Sequence, residues 1–188
     1  KEAIKIEKQL ITKERKIKKL ETDGIINETN INLNGEQNNA VSTVENSDKN
    51  YFLIKGITGS GKTEVYIRLI KNALIEGNGS IFLVPEISLT PQMMSRLKKE
   101  FSNNVALLHS RLTNKERKEE WYSIKSGDKK VVIGARSAIF APVQNLKYII
   151  LDEEHETTYK QENNPRYHTK NVAIKRANLL GNVKVIFG

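Results

Sequence analysis

Gly56-Ile57-Thr58-Gly59-Ser60-Gly61-Lys62-Thr63 fits the pattern G-x-x-x-x-G-K-[ST], and its reading decides the fold. The glycines let the backbone curl so that successive N–H groups point inward at phosphate oxygens. Lys62 brings a point charge to the outer phosphates of a bound triphosphate, and the Thr63 hydroxyl is placed to coordinate Mg²⁺. A short apolar strand, Tyr51–Lys55, precedes the loop. The helix Thr63–Glu76 follows it, with Val65, Leu69, Ile70 and Ala73 on one face and Gly77 past its end. The positive end of that helix favours anions. A nucleotide triphosphate site spanning Gly56 to Thr63 is the first expectation.

Outward from the loop, strands and helices alternate. Ile81–Val84, Val105–Leu108, Val131–Gly134, Tyr148–Leu151 and Val183–Phe187 read as short apolar strands. Between them, Thr90 with Pro91 caps a helix over Gln92–Phe101, and Thr113 with Glu116 forms a capping box for a helix through Trp121. Lys170–Leu180 reads as a last helix, stopped by Gly181. Continuous apolar strands separated by helices predict an α/β fold with a mostly parallel sheet covered on both faces. Ligands bind such folds beyond the carboxyl ends of the strands, which is where the chemical motifs fall.

The strand Tyr148–Leu151 runs into Asp152-Glu153-Glu154-His155. An aspartate directly after a buried strand suits a second Mg²⁺ contact, and Glu153 can polarise the attacking water. His155 either couples the nucleotide to a neighbouring lobe or caps a turn. A guanine-reading Asn-Lys-x-Asp element is missing, because Asn114-Lys115-Glu116-Arg117 lacks the aspartate. Adenine is the expected base.

The 188 residues suit one domain plus an appendage. They contain no cysteine, so disulfides and thiolate metal sites are excluded. No apolar run approaches the roughly 20 residues needed to cross a bilayer, which predicts a soluble, most simply intracellular chain. The formal charge of +9 and a pI near 9.6 favour a polyanionic partner, though part of the excess sits in Lys1–Lys19. Lys1–Leu20 has helical spacing of Ile4, Leu10, Ile11, Ile17 and Leu20, ended by Asp23-Gly24. It is either a solvated helix or the last helix of a small DNA-binding module. Asn27–Gln37 reads as a linker. With Lys1 in place of methionine and Gly188 just after a strand, the chain is expected to be a piece of a longer protein.

Asp152-Glu153-Glu154-His155 and the loop with its continuation Glu64-Val65-Tyr66 resemble the primosomal replication-restart helicases (primosomal protein N′), in the DEAH-like group of superfamily two. The resemblance extends through Leu83–Gln92, Leu107–Ser110, Val132–Pro142 (with Ala135 where that family has threonine), and Tyr159–Gln161 with Arg166–His168. Leu33–Gln37 is similar to an upstream element whose glutamine reads adenine, which would make Gln37 the reader. The resemblance implies a RecA-like first motor lobe over residues 33–188, truncated at its C-terminal end. Residues 1–32 would be the tail of a winged-helix-like module and linker. It further implies a 3′-to-5′ DNA helicase of replication restart using ATP and Mg²⁺, in the bacterial cytoplasm with the nucleoid. Single-stranded and forked DNA, primosome proteins and single-strand-binding protein are the implied partners. Zinc belongs to a cysteine-rich region of the full-length family and not to this segment.

Pro85, Ser88, Thr90, His109, Arg136, Ser137, Lys160, Arg166 and Tyr167 are the DNA-contact candidates, suited to backbone contacts without sequence readout. For Arg136 a surface salt bridge is the plainer alternative. Tyr159, Tyr167 and His168 interleave with Lys160, Arg166 and Lys170, which fits base stacking or equally the packing of a loop. Two other classes compete: a P-loop switch or kinase-like transferase not acting on DNA, and a nucleic-acid-binding module without turnover. The adjacent Asp152-Glu153 pair favours water as nucleophile over the first of these, and an ATPase assay with and without single-stranded DNA separates all three.

Overall fold

The computed structural model describes residues 32–57 and 59–188. The Lys1–Leu20 helix, the Asp23-Gly24 stop and Thr58 of the phosphate loop lie outside the described residues. In chain order the elements are α1 (Gly35–Asn46), β1 (Tyr51–Leu53), α2 (Lys62–Ile75), β2 (Gly79–Leu83), α3 (Pro91–Phe101), β3 (Val105–Leu108) and α4 (Asn114–Lys125). They continue with β4 (Val131–Gly134), β5 (Leu146–Leu151), the short pair β6 (Lys160–Gln161) and β7 (Tyr167–His168), α5 (Thr169–Leu180) and β8 (Lys184–Phe187).

Six strands form one parallel sheet in the order β1-β8-β5-β2-β4-β3. Alternate residues of each strand feed opposite cores. Phe82, Ile133, Ile150 and Ile186 meet Leu69, Leu97 and Val41 from α2, α3 and α1 on one face. Ile81, Val132, Ile149 and Val185 meet Ile124 of α4 with Ala173 and Ala177 of α5 on the other. Burial on both faces is why the strands lack polar alternation.

The predicted caps form. Thr90 Oγ1 accepts from Met93 N at 3.2 Å, and Thr113 and Glu116 exchange both bonds of their capping box. One expectation fails: Asn27–Gln37 is not all linker. Asn34 caps α1 and Gln37 completes a second capping box. The far end of α1 is secured from a distance, because Lys184 Nζ donates to the carbonyls of Val44, Glu45 and Ser47 at 2.7, 3.0 and 2.8 Å. Only Val41 and Val44 of α1 are buried, so its apolar pattern was too sparse to mark a helix. The strand expected over Tyr51–Lys55 also ends early, at Leu53.

Gly134 closes β4 where two neighbours crowd it. An added Cβ would lie 2.3 Å from the Leu108 carbonyl oxygen and 2.8 Å from Ala138 Cβ. That oxygen belongs to β3, paired in the sheet, and cannot yield cheaply. Gly134→Ala should therefore cost about 1–3 kcal/mol, lowering the thermal midpoint of the chain by about 2–12 °C. An unchanged midpoint in a calorimetric scan would contradict this packing.

Candidate active site at the carboxyl ends of the strands

The strand order brings three chain-distant segments side by side. β1 ends in the phosphate loop, β8 in Gly188 and β5 in Asp152, and these strands are consecutive in the sheet. Gly61, at φ 84°, turns the loop into α2 in a left-handed conformation that favours glycine. Lys62 begins the helix and folds back across the loop, its Nζ donating to Gly56 O at 2.8 Å. The same Nζ lies 3.6 Å from Glu153 Oε1. The two parts of the site read separately from the sequence thus meet through one ion pair. Thr63 occupies the next position of α2.

Glu153 holds a left-handed backbone, φ 48°, uncommon for a residue with a side chain. Its neighbours anchor the turn: Asp152 N donates to Leu83 O at 2.9 Å, and Glu154 N to Gly188 O at 2.8 Å. Glu154 also pairs with Lys170 at 2.8 Å. His155 is exposed, with Nε2 3.7 Å from Glu153 Oε2. A pocket of about 700 Å³ opens between the Leu53–Ile57 stretch, Lys62, Glu153–His155 and Gly188.

Asp152 Oδ1 is buried without a hydrogen-bond partner among the described residues. Burial lifts its carboxyl above the ordinary aspartate range and Glu153 adds to the lift, opposed by Lys62, the Glu153 backbone and the Tyr66 hydroxyl. An unsatisfied buried carboxylate oxygen beside a phosphate loop is the donor a divalent cation needs, so the residues fit Mg²⁺. Tyr66, part of the loop's continuation but with no role read from the sequence, is a further neighbour of the site. Its buried hydroxyl faces the Asp152 carboxylate, and burial together with the charges of Asp152 and Glu153 pushes its pKa well up. A Cβ at Gly188 would sit 1.7 Å from Tyr66 Oη and 3.7 Å from Asp152 Oδ1, so only glycine fits there. In the sequence, Tyr66 reads as one more helix position.

Gln37 does reach the loop. Its Nε2 donates to Gly61 O at 3.3 Å, while its Oε1 accepts from Asn34 N at 2.9 Å. Both ends of the amide are engaged by protein, so reading a base requires one of these bonds to open.

The DNA-contact candidates divide. Ser88 and Thr90 follow β2, His109 follows β3 and Ser137 follows β4, all at the carboxyl edge of the sheet. Thr90 is exposed, although its hydroxyl already caps α3. Pro85 is buried, so its ring is withdrawn from that edge. Arg136 makes no salt bridge with a described residue. Its guanidinium donates to the carbonyls of Thr158 at 3.3 Å and Lys160 at 2.8 Å, bracing the segment after β5. Arg111, unforeseen, does the same between β2 and β3 by donating to Leu89 O at 3.1 Å.

The Tyr159–His168 segment folds as the antiparallel pair β6–β7. Tyr159 is 1 % exposed and donates its hydroxyl to Asp152 O at 2.8 Å, so for that ring loop packing, and not base stacking, is the arrangement found. Tyr167 packs edge-on against Phe140 with ring centroids 5.1 Å apart, and His168 Nδ1 caps α5. Lys160 and Arg166 remain exposed.

Residues 34–182 match the family described as DEAD/DEAH box helicase. The chain belongs to the DEAD/DEAH box helicase family. Within it, the motif-based resemblance to replication-restart helicases is borne out. The chain is 54% identical over 135 residues to the replication restart protein PriA of Bacillus subtilis (strain 168), covering 72% of this chain and 17% of that protein. To the PriA of Haemophilus influenzae it is 43% identical over 172 residues, covering 90% and 23%. It thus spans about a fifth of the length of the curated relatives it matches. Among solved structures, RecG bound to a three-way DNA junction aligns with TM-score 0.61 and 26% identity, over 82% of this chain and 20% of that one. The helicase MrfA aligns with TM-score 0.59 at 21% identity, over 82% and 26%, a likeness of fold. The α/β, RecA-like reading holds, and a DEAD/DEAH box helicase lobe uses nucleotide. Among the described residues no helix is long and apolar enough to cross a membrane.

Proposed function

We propose that this chain is the first ATP-binding lobe, residues 33–188, of a DNA helicase that restarts replication with 3′-to-5′ polarity. Residues 1–32 would then be the tail of a winged-helix-like module and its linker. The observation that carries the proposal is the 3.6 Å approach of the phosphate-loop lysine to Glu153, in a chain similar to PriA proteins. Gly56–Thr63 would cradle the phosphates, Gln37 would read adenine, and Thr63 with Asp152 would hold Mg²⁺. Bound Mg²⁺ would neutralise charge on the outer phosphates.

The residues then divide the work. Lys62 exchanges Gly56 O and Glu153 for phosphate oxygens, which frees the Glu153 carboxylate to accept a proton from the attacking water. His155, exposed beside Glu153, is suited to contact a neighbouring lobe. DNA would run along the carboxyl edge past Ser88, Thr90, His109, Ser137, Lys160, Arg166 and Tyr167. Pro85 and Arg136 would shape that edge from behind. Tyr159 offers a route from this edge to hydrolysis, because its hydroxyl holds the Asp152 carbonyl. Single-stranded and forked DNA, primosome proteins and single-strand-binding protein in the bacterial cytoplasm, at the nucleoid, are the proposed partners.

The test is ATP hydrolysis by the intact protein that carries this chain, with and without single-stranded DNA. It is paired with unwinding of duplexes tailed on the 3′ or the 5′ side. DNA-stimulated hydrolysis and unwinding dependent on one tail polarity are expected. Hydrolysis indifferent to DNA would sink the motor reading.

A further inference from the structure

The outer face of α4 is charge-segregated in a way the active site does not use. Asn114, Arg117, Lys118, Trp121, Tyr122 and Lys125 recur at i, i+3, i+4, i+7, i+8 and i+11, one continuous stripe of a helix. Together they line a single shallow groove of about 520 Å³. Trp121 is 38% exposed and Tyr122 58%. Lys118 Nζ lies 5.9 Å from the centre of the Tyr122 ring.

The helix is not short of acids, but none lies in the stripe. Glu116 is engaged by the Thr113 capping box, Glu120 pairs with Lys129 at 2.7 Å, and Glu119 is exposed beside the stripe but outside the groove lining. Arg117, Lys118 and Lys125 form no salt bridge with a described carboxylate. The core-facing side is accounted for by Ile124, fully buried against the sheet. Exposed aromatic rings interleaved with cations that form no salt bridge with a described carboxylate suit one ligand chemistry: phosphates for the cations, base faces for the rings.

We infer that this face binds single-stranded nucleic acid, as a site additional to the carboxyl edge of the sheet. The N-terminus of α4 follows that edge in the chain, because α4 starts soon after the loop holding His109 and Ser110. From Asn114 to Lys125 the stripe extends about 17 Å along the helix. A duplex presents the same phosphates but no free base faces, and an acidic protein segment presents charge without rings to stack.

Trp121 is the only tryptophan of the 188 residues, so its fluorescence reports on this face alone. Titrating the chain with a short oligodeoxythymidylate should quench it saturably. Affinity should fall with salt at a log–log slope of about −2, as three phosphate contacts on a single strand require. The triple variant R117E/K118E/K125E should abolish that slope, and Tyr122→Ala should weaken binding at least about fivefold. Circular dichroism checks that the variants fold, and Lys118→Ala alone substitutes if the triple variant does not.

Absence of quenching overturns the inference, as does equal quenching by a duplex of the same sequence. Equal quenching by polyglutamate would overturn it in favour of an acidic protein partner. In the intact protein the triple variant must also lower affinity for the oligonucleotide. Unchanged affinity there would overturn the inference for the intact protein. None of these readouts needs ATP, so they stand or fall separately from the motor reading.

Discussion

Glu153→Gln in the intact protein is expected to slow ATP turnover by about 10²–10⁴-fold, the usual contribution of a positioned general base. The amide keeps the size and turn of the side chain but cannot take a proton. Glu153 is held in a left-handed conformation by bonds its own side chain does not make, namely Asp152 N to Leu83 O and Glu154 N to Gly188 O. The substitution therefore leaves the site's frame intact. Nucleotide binding should persist, because the phosphate loop is untouched and Lys62 loses a competing carboxylate. Steady-state hydrolysis and equilibrium nucleotide binding, measured side by side, separate the two effects. Turnover within tenfold of the unsubstituted protein would remove Glu153 from the chemistry, whereas loss of binding would show the frame itself depends on it.

The isolated 188-residue chain is expected to hydrolyse ATP about 10³–10⁵-fold more slowly than the intact protein, the range supplied by arginines reaching in from a second lobe. The reason lies in the pocket lining. The described residues around it supply Lys55, Lys62 and His155 as cations or potential cations, and no arginine. Charge building on the far side of a transferring phosphoryl group would be left to water. The same chain should bind nucleotide weakly and unwind nothing. Turnover by the isolated chain at the intact protein's rate, or robust unwinding by it, would mean that one lobe holds a complete site.

Much of this molecule was legible residue by residue because the signals are local. A phosphate loop needs glycines and a lysine at fixed spacing, a cap needs Thr90 three residues before Met93 N, and a doubly covered strand needs an unbroken apolar run. Where the deciding partner is distant, the reading failed. α1 is the exception: its Asn34–Gln37 capping box is local, but only Val41 and Val44 mark an apolar face. Between base stacking and loop packing for Tyr159 the sequence does not choose, because nothing nearby announces that its hydroxyl reaches Asp152 O. The roles of Arg111 and Arg136 as braces depend on carbonyls of loops that only the sheet brings close.

By itself, then, the sequence determined the class of fold, the phosphate loop and the carboxylate pair, since each is written in residues that are neighbours along the chain. Tertiary structure alone decided that β8 lies between β1 and β5, bringing Lys62 to 3.6 Å from Glu153 and leaving room only for glycine at Gly188 beside Tyr66. Strand order is a property of how the whole sheet packs, and no short stretch of sequence encodes it.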